Sequence, residues 1–528
     1  MSRSPVQQRA SRIAQSVIEV SSTFESWLRN HPASVPGDAE GIASEISSLR
    51  RRARIISRAC GRPASIAIYG ESQVGKSYLV STLAKGHNAL VQVRIGREQR
   101  TVLTEIKEST GLVTRFSINP PPKSTDRKPI YLELLSELDI VKILVNTYFK
   151  DIKHKETVSI SADEITRVLD RARTSARGPT AGHLDADDIN DLKEYMDREI
   201  FSFDRLKALT PAVWSELQKL VPRLSLDERI SVYSMLWLQE APFTAAARVL
   251  VRALESLGHA DAVIVGAEAV LPRETSIIDV ETLHGFEKGE GETVEVESVA
   301  SGIQVRMARA TLCALTAEVY MHLSSPPGGA IDVCDLLDFP GARARTSHDS
   351  LGSGIATDGL SLFYRRGKVD FLFKRYTANQ ELAALLLCRR PGNQEVFDIK
   401  NTVYTWIETA LGEAPEKRKG QTPLFVLFTR FDELVAPKTA GGTPASTLEN
   451  PIKNAFVEFF NQNLSDNWPV NWDGRGVFRN CHWYRNPKAS ISPLFKYVDG
   501  DEVALNPEQA ERLAEYRKTF LAAAHLNK

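Results

Sequence analysis

Cysteine is scarce: five residues in 528, at Cys60, Cys313, Cys334, Cys388 and Cys481. They are scattered, unpaired in spacing and mostly inside apolar runs, which excludes a disulfide framework or a zinc site built on them. Charge of one sign is also missing. Lys and Arg total 66 and Asp and Glu total 66, so the balance carries no footprint for nucleic acid. Long hydrophobic runs are absent. The densest, 382–388, is strand-sized and far short of the roughly 20 apolar residues of a membrane span. The first residues, MSRSPVQQRAS, lack the apolar stretch of a signal peptide. On these absences a cytoplasmic location is expected, with peripheral membrane association left open.

What remains is an ordinary globular composition, 42% hydrophobic and 25% charged, too long for one core. Apolar residues at helical spacing (Ile13, Val17, Val20, Phe24, Leu28, then Ile42, Ile46, Leu49, Ala53, Ile56) predict an N-terminal helical hairpin over 1–62. Apolar runs at 65–69, 330–337, 381–388, 423–428 and 477–481 read as strands of a covered sheet, with a sixth at 112–118. Helical patterns at 367–377 and 397–411 imply βαβ units. Over 120–284 the strand signal nearly disappears, and patterns at 131–150, 165–176, 185–201 and 243–257 predict a helical insertion. A hairpin is expected at 293–299 and 302–307, then a helix leading to Ala330. The proline- and glycine-rich stretch 436–445 reads as an exposed loop. A helix over 507–524, with Asn506 as cap and Pro507 in its first turn, is expected to pack on the N-terminal hairpin.

The expected layout is therefore α/β. The sheet parts are 63–119 and 285–500, split by the insertion and flanked by the hairpin and a C-terminal element over 501–528.

Gly70-Glu71-Ser72-Gln73-Val74-Gly75-Lys76-Ser77 fits GxxxxGK[ST] and lies between a strand and a helix that opens at Tyr78. The two glycines let successive N–H groups face phosphates, and the helix N-terminus adds partial positive charge. Lys76 would place a cation between β- and γ-phosphates, and the Ser77 hydroxyl would ligate Mg²⁺. Asp338-Phe339-Pro340-Gly341 closes an apolar run and fits a DxxG element: Asp338 would hold Mg²⁺ through water, and the Gly341 N–H would meet the γ-phosphate. Thr429-Arg430-Phe431-Asp432 follows a strand and resembles [NT]KxD, with Asp432 accepting guanine N–H protons that adenine lacks. Arg430 stands where lysine is usual, so guanine is expected over adenine without being fixed. Ser109-Thr110-Gly111-Leu112-Val113-Thr114-Arg115 resembles a switch I segment, in which Thr114 completes the metal shell; a β-branched residue entering a strand is the plain alternative.

These elements occur in the chain order of the dynamin superfamily. The phrases GESQVGKSYLVSTLA, LLDFPGARAR and GKVDFLFKRY more specifically resemble the bacterial SrfC-type virulence factors. The resemblance implies a P-loop NTPase core of dynamin type and a Mg²⁺-dependent GTPase that couples hydrolysis to motion of a helical bundle or to homodimerisation. It also implies a longer family chain than this one and a partner from the same operon. Ser72 and Gln73 stand in reverse of the dynamin order, and the span from Thr114 to Asp338 is longer than in dynamins. Arg343, Arg345 and Arg115 are candidates to neutralise the transferring phosphoryl group. The alternatives are a nucleotide-binding interaction module with little turnover and an ATPase of another P-loop class. Arg50, Arg51, Arg52, Arg54 and Arg58 read as a solvated helix face, or as a site for anionic lipid or an acidic partner.

Overall fold

The computed structural model describes residues 5–31, 34, 39–86, 90–101, 111–152, 159–176, 182–200, 206–272, 275–342, 351–390, 397–430, 453–461, 467–484, 495–507, 510–511 and 514. In chain order come α1 (Pro5–Asn30), α2 (Ala39–Ala59), β1 (Ser65–Gly70), α3 (Lys76–Lys85), β2 (Gln92–Ile95), β3 (Glu98–Thr101), β4 (Val113–Ser117) and β5 (Ile130–Leu134). Then follow α4 (Glu137–Asp151), α5 (Ala162–Ser175), α6 (Ala186–Glu199), α7 (Pro211–Leu220), α8 (Leu226–Ser234), α9 (Ala241–Ser256), β6 (Ala262–Val265), β7 (Thr293–Ser298) and β8 (Gln304–Ala308). The rest of the fold is α10 (Arg309–Leu315), β9 (Thr316–His322), β10 (Asp335–Asp338), α11 (Leu351–Ala378), β11 (Leu382–Arg389), α12 (Phe397–Leu411), β12 (Leu424–Phe428), β13 (Cys481–Trp483), β14 (Phe495–Val498) and β15 (Asp501–Leu505).

Eleven strands form one sheet in the order β13-β12-β11-β1-β10-β4-β9-β5-β6-β7-β8. From β13 to β10 every pairing is parallel. β4 runs antiparallel to β10, and beyond β9 the pairings are antiparallel. The parallel half reads as unbroken apolar runs because both its faces are covered; Ala67, Ile68, Leu336, Leu337, Leu385, Leu387 and Val426 are buried. Chain between β10 and β11 includes α11 and crosses from one side of β1 to the other, so β1 sits at a reversal of strand order, where open α/β sheets place their ligands.

The 120–284 stretch supplies α4 to α9 as expected, but β5 and β6 hydrogen-bond into the main sheet, so the helices are a layer on a continuous sheet. The expected helix at 131–150 begins only at Glu137. Tyr131 lies in β5, and Ser136 starts the helix through a reciprocal capping box with Asp139. The same device opens α5 at Ser161, α6 at Asp185 and α8 at Ser225. The helix expected before Ala330 ends at Leu315 and gives way to β9; Thr316, Val319 and Tyr320 suit a strand. The strand expected at 330–337 is shorter, because Gly329–Asp332 is a 3₁₀ turn, and the one at 477–481 is displaced to Cys481–Trp483.

The hairpin of α1 and α2 forms, yet most of the α1 stripe faces outward: Ile13 is 56% and Val20 68% exposed, while Leu28 is buried. The arginine-rich part of α2 docks on acidic α6. Arg50 is buried and ion-paired with Asp187 and Glu25, Arg51 pairs with Asp191 and Glu194, and Arg54 lies 3.1 Å from Asp185. The solvated reading and the lipid reading are both corrected at Arg50 and Arg51; their charges are used within the chain. Of the expected 507–524 helix, too few residues are described to show what it packs on, and the 436–445 loop lies outside the described residues.

Candidate functional site

β1 delivers the chain to Gly70 between β10 and β11. Gly70 has φ +151°, and a Cβ there would stand 2.2 Å from the backbone oxygen of Cys388, so only glycine lets the strands close. The loop turns through Gln73 (φ +62°, side chain exposed) and Gly75 (φ +92°), the residue that starts α3. Val74 is buried, while Ser72, Ser77 and Tyr78 are half-buried. The Tyr78 ring lies 5.7 Å from that of Tyr484, whose hydroxyl donates to Thr82 Oγ1. Lys76 is buried, and its Nζ donates to the carbonyls of Gly70 (3.2 Å) and Glu71 (2.6 Å).

The segment after β10 closes against this loop. Phe339 N–H donates to Ile68 O at 3.2 Å, Ala342 N–H to Gly70 O at 3.0 Å, and Ser72 N–H to Ala342 O at 3.0 Å. Gly341 is packed so tightly that a Cβ would lie 2.6 Å from Ser72 Oγ and 3.0 Å from Lys76 Nζ. Thr114 on β4 is the direct cross-strand partner of Asp338 on β10; both are buried, and opposed residues of an antiparallel pair share a face. Thr429 follows β12 with its N–H on Arg389 O at 2.9 Å, and its Cβ lies 3.9 Å from where a Gly75 Cβ would be. Arg430 follows with φ +52°. The structure thus brings together Gly70 to Ser77, Thr114, Asp338, Gly341 and Thr429. Asp432, Arg343 and Arg345 lie outside the described residues, as do Ser109 and Thr110.

Arg115 is a correction. Alternation puts it on the sheet face opposite Thr114. There it is buried in ion pairs with Glu318 (2.7 Å) and Asp335 (2.9 Å), with Ser65 Oγ at 3.0 Å. Ser65 and Asp335 are the first residues of β1 and β10, at the end of those strands away from Lys76, so Arg115 holds the sheet together and does not face the loop.

The sequence offered Glu71 only as a loop position. In the structure it is buried and ion-paired with Arg389, whose guanidinium lies over the Phe459 ring at 3.9 Å. Burial raises the Glu71 carboxyl above its usual range despite Arg389 and Lys76. A charged residue ending the apolar run LAALLLCR was the available signal. Burial also pushes the Cys388 thiol, beneath Gly70, up to about 12, so it stays protonated.

The donors have two chemistries. Loop N–H groups, the start of the ten-residue α3 and the Lys76 ammonium suit an anion. The Ser77 and Thr114 hydroxyls with the Asp338 carboxylate are hard oxygen donors of the kind Mg²⁺ takes. A family model described as "Putative bacterial virulence factor" matches residues 26–528. The chain belongs to this virulence-factor family. No curated protein matches it. Among the described residues of this family member, no helix is long and apolar enough to cross a membrane.

Proposed function

We propose that the chain is a Mg²⁺-dependent nucleoside triphosphatase of the dynamin-like P-loop kind, with GTP as substrate. The observation that carries this reading is the closure of the Gly341 segment onto Ser72 and Lys76, with Thr114 facing Asp338 on the adjoining strands. A glycine-rich loop alone could be a turn. The meeting of three separate chain segments at the carboxyl ends of β1 and β10 supports a phosphate site over a plain turn.

In this reading the loop N–H groups and Lys76 grip the β- and γ-phosphates, and the Gly341 N–H meets the γ-phosphate. Ser77, Thr114 and Asp338 would hold Mg²⁺, which when bound neutralises charge developing on the phosphate oxygens. Ser72 and Gln73 would orient the attacking water, in the reverse of the dynamin order, and Asp432, three residues after Thr429, is the proposed guanine reader. Tyr78 and Arg430 flank the nucleotide. Asp432→Asn is expected to weaken GTP binding and shift preference toward xanthine nucleotides; equal affinity of the unaltered protein for ATP and GTP would refute the guanine assignment.

One observation favours the low-turnover alternative: Arg115 is committed to Glu318 and Asp335, which leaves Arg343, Arg345 or a second copy to supply the stabilising charge. Homodimerisation across nucleotide faces is the proposed solution. Turnover per molecule should then rise with protein concentration, and Arg343→Ala or Arg345→Ala should flatten the rise. Constant turnover over a roughly hundredfold range would refute pairing, since unpaired P-loop enzymes are slow without an added arginine. An operon-encoded partner is a proposal of the family resemblance alone.

A further inference from the structure

Far along the chain from the phosphate loop, three segments bring Glu137, His183 and His259 to one point. Glu137 is the first residue of α4, His183 lies in the turn entering α6, and His259 follows α9 with φ +54°. One ligand atom of each lies within 4.8 Å of the others. His183 Nε2 is 3.3 Å and His259 Nδ1 3.9 Å from the same oxygen, Glu137 Oε2. The imidazoles are stacked, with centroids 3.5 Å apart.

We propose that Glu137, His183 and His259 bind one divalent transition-metal ion of zinc's class. Two imidazole nitrogens and one carboxylate oxygen are a zinc donor set that leaves a fourth position for water, and they are too nitrogen-rich for Ca²⁺ or Mg²⁺. A plain stack of two histidines on a carboxylate explains His183, which has Glu137 as its partner. It does not explain His259, whose Nδ1 is buried with no hydrogen-bond partner. A metal supplies one.

The surroundings suit the role. Arg229 grips the carboxylate with bonds of 2.7 and 3.0 Å, and the Tyr233 hydroxyl donates to Oε1 at 3.0 Å. Such outer contacts orient a ligating carboxylate. They also leave Oε2 the less occupied oxygen, on the side of the histidines. Burial alone would raise the Glu137 carboxyl, but hydrogen bonds with His183 and Arg229 overcome it and hold the group at about 2. Burial, then His183, brings His259 down to about 4. The stacked rings must tilt for one ion to lie in both planes, and the Arg229 charge opposes a cation, so the affinity should fall below that of a thiolate site. Occupancy would fix the start of α6, where Asp185 and Asp187 receive Arg54 and Arg50 from the hairpin.

The test is a titration of the chelator-treated full chain with zinc chloride and with cobalt chloride, in excess magnesium to fill hard-oxygen sites. The expected result is one equivalent bound per chain, with cobalt giving the visible d–d absorption of a low-coordinate nitrogen and oxygen site. His259→Gln and His183→Gln, folded by circular dichroism, should lose that band and weaken zinc binding at least about tenfold. The proposal is overturned if the unaltered protein shows no stoichiometric cobalt band, or if the band persists in folded His259→Gln. If neither variant folds, the titration of the unaltered protein decides by itself.

Discussion

Gly341→Ala isolates the closure of the two loops from everything else at the site. Gly341 does not need a left-handed backbone, so alanine introduces no torsional strain and the effect is steric. The new methyl would stand 2.6 Å from Ser72 Oγ, 2.9 Å from Ser72 Cα and 3.0 Å from Lys76 Nζ. The Oγ can rotate away and the ammonium can shift, but the Ser72 backbone moves only with its loop. Ordinary carbon–carbon separations lie near 3.5–4.0 Å, so the loops must part by roughly 0.6–1 Å. That stretches the two 3.0 Å bonds that join Ser72 to Ala342 and Ala342 to Gly70. Overpacking of this kind costs about 1–3 kcal/mol of stability. A displacement near 1 Å at a reacting centre lowers turnover by about a hundredfold. Urea denaturation and GTP-dependent phosphate release on the same preparation read both effects. Ser72→Gly added to Gly341→Ala should return part of the stability without returning turnover, since the methyl still presses on the backbone of residue 72. A Gly341→Ala protein with unaltered turnover would refute the packed-switch reasoning.

Burial lowers Lys368 on α11 to about 8 from 10.5, with its Nζ on Cys313 O at 2.8 Å. The folded state thus disfavours the charged form: the penalty is full below pH 8 and is relieved as pH rises to 10.5. Relative to Lys368→Met, the unaltered chain should gain about 3 kcal/mol of stability across that window; a pH-independent difference between the two denaturation series would count against this. Asp187→Ala strips Arg50 of its main buried partner, leaving Glu25. A loss of about 3–5 kcal/mol is expected, with faster proteolysis between α2 and β1, and unchanged digestion would contradict the docking of α2 on α6. Arg115→Met should destabilise the fold while turnover per folded molecule holds within a few-fold; selective loss of turnover would return Arg115 to the catalytic candidates.

The parallel half of the sheet was legible because strands covered on both faces must be continuous apolar runs, and 65–69, 381–388 and 423–428 are such runs. The strand–loop–helix context of 70–77 was legible from spacing, since the glycines mark a tight turn between the run 65–69 and the helix that follows, and the structure has β1, the loop and α3 there. The antiparallel half was harder to read. β5 (IYLEL) and β9 (TAEVYMH) carry half-buried Glu133 and buried Glu318, which break the apolar run a sequence reading looks for. Their charges are balanced by Arg62 and Arg115 from other strands and loops, pairings only the tertiary fold discloses. The same holds for Arg50 and Arg51: a basic helix face looks solvated until acidic α6 is placed against it. The Glu137, His183 and His259 cluster has no local spacing at all and arises only where α4, α6 and α9 meet.

The most direct measurement of the central claim is phosphate release from GTP and from ATP by purified full chain with Mg²⁺, beside folded Lys76→Ala. In the proposed site, removing the Lys76 ammonium would take away the cation between the β- and γ-phosphates. The expected result is Mg²⁺-dependent release that prefers GTP and is abolished in Lys76→Ala. Equal phosphate release by the two proteins would contradict it.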